Sequence, residues 1–142
     1  LGVELDAQGA RDRVTEAYTR FLALNGPLLR VCTDWQLRDA DPASIVVNDH
    51  SDPQFDRRVL DRLETVHRAA LPICADLAAA LERFTSYGAR LTSASDRLRA
   101  GDGTALDGPS TDSYHAAWYE LHENLIATLG LDRSTEPLPD AG

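Results

Sequence analysis

Apolar residues recur along this chain at helical intervals almost throughout. Val14, Tyr18, Phe21 and Leu22 repeat every three or four positions, as one face of an amphipathic helix does, and Asn25-Gly26-Pro27 reads as a stop or sharp bend. The stretch "PLLRVCTDWQLR" resumes the pattern, with Pro27 at a first helical position where its missing N–H costs little; that helix carries Leu28, Val31, Cys32 and Trp35. Phe55, Val59, Leu63, Val66 and Ala70 mark a longer stripe that Leu77, Leu81 and Phe84 continue. Pro72 lies in its middle and is expected to kink it, because proline removes one ladder bond and crowds the preceding turn. Leu91, Ala94 and Leu98 define a shorter helix. In residues 113–130, "SYHAAWYELHENLIATLG", the positions Tyr114, Trp118, Leu121, Leu125 and Leu129 step by four and three as a buried seam does.

Between these stripes the chain changes character. Residues 1–5, "LGVEL", alternate in an extended manner. Residues 38–53 form the longest irregular stretch, a candidate functional loop, and end in Ser51-Asp52-Pro53, a helix-initiating run. The segment "GDGTALDGPS" is a loop by its Gly, Asp and Pro content. Ser110 or Thr111 is placed to cap the last helix and Gly130 to end it, and the tail 131–142 reads as frayed. The pattern predicts an all-α protein, an antiparallel bundle of four to five helices with one kinked at Pro72.

Composition narrows the functional classes. The 142 residues suffice for one domain with a single core, and 43% hydrophobic content is that of an ordinary globular chain. No apolar run reaches the roughly 20 residues that span a bilayer, and no secretory leader is evident, so a cytoplasmic location without membrane association is expected. The formal charge of −9 argues against a duplex-binding surface, which needs clustered cations to neutralise phosphates. Every basic residue is arginine, a usage typical of GC-rich genomes, and methionine is absent, so an N-terminal portion is expected to be missing. Cys32 and Cys74 read as free thiols packed as small hydrophobes.

Candidate chemistry centres on the last helix. Trp35, His115, Trp118, Tyr119 and His122 are the candidate ligand-binding residues: aromatic rings supply apolar walls, and indole, phenol and imidazole groups supply polar handles. His115 and His122 are seven residues apart, about 10.5 Å along a helix axis, too far to share one ion at about 2 Å from each ligand. Glu64 and His67 have the Glu-x-x-His spacing of di-iron bundles, but a second copy is lacking. A metal-binding bundle enzyme using Glu64 and His67 is therefore the alternative to a ligand-binding domain, and a structural interaction module is a further one. "NDHSD", residues 48–52, lacks the spaced carboxylates and glycine of a calcium loop; capping and turn formation account for it. No phosphate loop, nucleophile elbow or Cys-x-x-Cys pair occurs, so neither a cofactor nor a catalytic residue is assigned.

"VELDAQGARDRVTEAY", residues 3–18, resembles the segment that closes the wing in winged-helix regulators of the MarR and PadR type, through Leu5, Gly9, Arg11 and Val14, with Asp6 in place of the usual threonine. "LLRVCTDWQLR", "NDHSDPQFDRRVLDRL", "FTSYGARL" and "DSYHAAWYELHENLIATLG" resemble the helical C-terminal region of such regulators from actinobacteria. The resemblance implies that residues 1–10 are the remnant of a wing strand and turn, and that 11–130 form an effector-binding and dimerisation domain. It also implies a small-molecule effector, a homodimer, and DNA contact only through a winged helix missing from this chain.

Overall fold

The computed structural model describes residues 2–39 and 46–131. It is predominantly helical, with four helices and one small two-stranded sheet: α1 (Gly2–Gln36), β1 (Leu37–Asp39), β2 (Val46–Val47), α2 (Pro53–Ala80), α3 (Tyr87–Arg99) and α4 (Tyr114–Leu129). Side-chain pairs between helices give the directions. Arg20 of α1 meets Asp76 of α2, and Asp34 meets Arg62, so the two helices run antiparallel. Glu64 meets Arg99 and His67 meets Thr92 between α2 and α3. Arg90 meets Glu120 and Tyr87 meets Asn124 between α3 and α4. Arg11 reaches the carbonyl of Leu129, and Trp118 bonds Asn25, so α4 returns along α1 and completes an up-down-up-down bundle. These surface ion pairs record geometry more than they add stability.

The core is the set of stripes read from the sequence. Val14, Phe21, Leu28 and Val31 of α1 face Val59, Leu63, Ala70, Ile73 and Leu77 of α2, with Leu91, Ala94 and Leu98 of α3 and Tyr114, Trp118, Leu121 and Leu125 of α4 closing the interior. All of these are buried. Burial of such side chains stabilises by roughly 1.5–3 kcal/mol each against exposure.

Four local expectations are corrected. Residues 2–5 are helical rather than extended, and the expected stop at Asn25-Gly26-Pro27 is absent: α1 continues through Pro27 to Gln36. The bond that Pro27 forfeits would have gone to the carbonyl of Ala23, an exposed residue, while Asn25 and Leu28 are anchored in the core on either side. Packing against α2 and α4 outweighs the local cost. Helix α2 contains Pro72, whose lost bond falls on exposed Arg68, and ends at Ala80 with Leu81 as its cap, so Phe84 enters the core from a 3₁₀ turn rather than from the same helix. The cap of α4 is Ser113, whose hydroxyl accepts from the Ala116 amide, rather than Ser110 or Thr111. Of the initiating run Ser51-Asp52-Pro53, it is Asp52 that caps α2, through the Gln54 and Phe55 amides, and Gly130 ends α4 in the left-handed region as expected.

The irregular stretch 38–53 is partly structured. Leu37–Asp39 and Val46–Val47 pair antiparallel, with Leu37 opposite Val47. The middle of that stretch and the expected frayed tail lie outside the described residues, apart from Leu131. Among the described residues no helix is long and apolar enough to cross a membrane.

Both cysteines are buried free thiols. Burial pushes Cys32 up to about 12, with Asp107 adding to the effect, and pushes Cys74 up to about 11. Since only the thiolate reacts, labelling by an aromatic disulfide reagent is expected to proceed at the rate of unfolding or opening rather than of collision. Rapid stoichiometric labelling of the native protein would contradict this packing.

Candidate functional site

The four candidates on α4 divide by helix face. Trp118 is enclosed in the core: its ring stacks on Phe21 at 4.4 Å and its indole N–H donates to Asn25 Oδ1 at 3.0 Å. His122 is also buried, 5.2 Å from the Phe21 ring. His115 is half-buried and Tyr119 is exposed on the outer face. Trp118 and His122 thus face the interior and Tyr119 faces outward, so these side chains do not share one helix face. The aromatic inventory of this helix is chiefly the wall of the core.

Trp35 lies elsewhere, at the end of the bundle where α1 finishes, α2 begins and α3 finishes. An open cleft of about 520 Å³ forms there between Trp35, His50, Pro53, Asp56, Arg57 and Leu60 on one side and Leu98, Arg99, Gly101 and Gly103 on the other. The Trp35 indole N–H donates to the Gly103 carbonyl at 3.1 Å, which ties the end of α1 to the loop after α3. Gln36 Nε2 reinforces that tie through Asp107.

The sequence "NDHSD" builds the other wall. Asn48 is buried; its amide donates to the Gln36 carbonyl, and its side-chain Nδ2 donates to the Trp35 carbonyl and to Asp56 Oδ1, both at 2.9 Å. Asn48 Oδ1 in turn accepts from the His50 amide at 3.0 Å. This turn holds His50 at φ 59°, in the left-handed region that a non-glycine residue enters at a cost of about 1 kcal/mol or more. The result is that the imidazole lies 4.4 Å from the Trp35 ring with Nδ1 2.9 Å from Asp56 Oδ2. Asp56 thus holds His50 on one oxygen and Asn48 on the other. A proton on Nδ1 satisfies the carboxylate and leaves the Nε2 lone pair as the available acceptor.

Cations flank this dyad. Arg57 makes no ion pair among the described residues, whereas Arg99 meets Glu64. Asp49 and Asp52 are held below the usual carboxylate range, Asp49 by the Ser51 hydroxyl and amide and Asp52 chiefly by the Phe55 amide, with Arg38 nearby in both cases. These bonds are turn and cap interactions that shape the loop.

The Glu64 and His67 pair does not form a site. Glu64 faces outward to Arg99 and Arg68, while His67 points into the core, with Nδ1 2.9 Å from Tyr114 Oη and Nε2 3.4 Å from Thr92 Oγ1. Among the described residues no cluster of three or more potential ligands could hold a metal ion. Burial lowers the His67 pKa from 6.5, with Asp96 opposing in part, because an imidazolium is poorly solvated there. Unfolding therefore takes up a proton, and the stabilising effect of neutral His67 is complete above its unfolded value and lost as pH falls toward the lower folded one. Stability measured by urea is expected to fall as pH drops through and below the ordinary histidine value of 6.5, with a flatter slope in His67→Phe. An unchanged slope would remove His67 as the cause.

Comparison with protein-family models, with curated proteins and with solved structures gives no match. The cleft is therefore characterised by its own geometry. Sequence reasoning selected Trp35 but did not pair His50 with Asp56, six residues apart across a loop-to-helix junction, because that interval is not a helical spacing. Their shared signal was the irregular "NDHSD" run itself, which does more here than cap a helix.

Proposed function

We propose that this chain is an effector-binding domain of a bacterial transcriptional regulator, and that its effector, a small lipophilic or aromatic molecule, enters the cleft beside Trp35. The observation that carries the reading is the position of that cleft. It joins the ends of three helices, offers apolar surface from Trp35, Pro53, Leu60 and Leu98, and adds a few placed polar groups, the usual make-up of a small-molecule site. A ligand lodged there contacts α1, α2 and α3 together, so differential affinity for two arrangements of those helices shifts their populations. In this reading DNA contact belongs to a winged helix outside this chain, in keeping with the charge of −9, and the domain acts as a cytoplasmic homodimer.

A thermal-shift screen of lipophilic and aromatic metabolites tests it. A ligand present at 100 times its Kd stabilises by about 2.7 kcal/mol, equivalent to roughly 8–12 °C for a chain of this size. That shift is expected to vanish in Leu60→Trp, which fills the cleft from α2. Finding no stabiliser, or one that ignores Leu60→Trp, would sink the proposal.

A further inference from the structure

The cleft combines an apolar wall with a lining histidine, His50, whose Nδ1 is engaged by Asp56. Resting on the effector-site reading above, we propose that the site takes an organic oxyacid with an apolar body, and that His50 binds its oxyanion together with a proton. The acid arrives already ionised near neutral pH: an O–H bond of hydronium or a buffer acid breaks, its proton forms the N–H bond at His50 Nε2, and the oxyanion remains beside the imidazolium. No other bond changes.

The geometry supports each part. Asp56, 2.9 Å from His50 Nδ1, stabilises the imidazolium from behind, and Asn48 holds Asp56 in place, so the ring is braced before a ligand arrives. Trp35 packs beside the ring at 4.4 Å, where an aromatic face favours a cation. The left-handed backbone of His50 is maintained by Asn48 at an energetic cost, as strain at functional positions often is. Leu60 and Leu98 receive the apolar body.

The charges around His50 come from every neighbouring element. On α2 they are Asp56, paired to the ring, and Arg57, which is uncompensated among the described residues. On α3 Arg99 lines the cleft while meeting Glu64. In the flanking loop Asp49 is turned to Ser51 and Asp52 to Arg38 and the α2 amides. Beyond α3, Asp102 is turned to Thr104 and Arg97. With His50 neutral, Arg57 is the remaining cation at the mouth. With His50 protonated, a second positive charge is available to the anion despite the acidic balance of the whole chain.

The test uses octanoate, octanol of the same chain length, and inorganic phosphate as probes. Calorimetry in buffers of different ionisation enthalpy reads proton uptake, and NMR of the four histidine side chains locates it. Octanoate is expected to take up close to one proton per molecule bound, to shift the His50 resonances, and to lose affinity about tenfold per pH unit on the alkaline limb. His50→Asn, a residue that tolerates the left-handed region, is expected to keep the fold and abolish proton uptake. Arg57→Ala is expected to weaken octanoate roughly tenfold without changing proton uptake. Octanol binding as tightly as octanoate, or octanoate binding without proton uptake, overturns this inference and leaves the effector cleft standing. Phosphate binding as tightly as octanoate also overturns it, because the apolar wall would then contribute nothing. If no probe disturbs Trp35 or His50 while the metabolite screen still yields cleft ligands, the oxyacid inference alone fails; if the screen fails too, both do.

Discussion

Trp118→Ala is expected to destabilise the protein by about 3–5 kcal/mol, lowering Tm by roughly 10–20 °C. The side chain is 2% exposed, stacks on Phe21, and lies near Tyr114 at 6.3 Å between ring centres, so truncation leaves a cavity where α1 and α4 meet. It also strands Asn25 Oδ1, a buried acceptor whose loss of a partner costs about 1–3 kcal/mol by itself. Trp118→Phe separates the two contributions, since it keeps much of the ring and removes the donor. A cycle with Asn25→Ala is expected to show strong coupling: once one partner is gone, removing the other costs less. Additive losses measured by urea unfolding would mean that the bond contributes nothing. A loss under about 1 kcal/mol for Trp118→Ala would place the indole outside the core.

Asn48→Asp is the second large effect, and it acts at the cleft. The substitution is nearly isosteric, but it replaces a donor that serves the Trp35 carbonyl and Asp56 with a carboxylate beside the Asp56 carboxylate. Like charges this close, at a buried position, cost several kcal/mol or force one group to hold a proton, so a loss of about 2–4 kcal/mol is expected near neutral pH. The paired carboxyls have raised folded pKa values in the variant, so the folded variant binds more protons than its unfolded chain. Its deficit against the native protein therefore shrinks as pH falls and grows as pH rises. Loss of the brace also frees His50, and proton-linked octanoate binding is expected to disappear. A small, pH-independent deficit would show that Asn48 does not hold the dyad. Asn48→Ala, which removes the donors without adding charge, distinguishes the missing bonds from repulsion.

These predictions sit at opposite ends of what was readable in advance. The seam Tyr114, Trp118, Leu121, Leu125 and Leu129 was legible because each position repeats the helical period, and all five are buried. Its Trp118 was also taken as a pocket candidate, since periodicity tells which face is inward but not whether the space opposite is filled. Phe21 and Asn25, almost a hundred residues earlier, fill it for Trp118. Pro27 misled in the other direction. Its local cost was correctly read, but the carbonyl it leaves unpaired belongs to Ala23, an exposed residue, and the flanking side chains are anchored by long-range packing.

The residue pattern determined the helical class and the inward faces through the hydrophobic period, and the ends at Ser51-Asp52-Pro53 and Gly130 through capping residues, because burial at helical spacing and terminal hydrogen bonding are local regularities. The tertiary structure decided that α1 is continuous, that Tyr114 and Trp118 of the last helix belong to the core while Tyr119 faces outward, and that Trp35, His50, Asp56 and Leu98 share one cleft. Those outcomes depend on which helix ends meet when four antiparallel segments of unequal length close around one interior, a relation between distant residues that no local pattern contains.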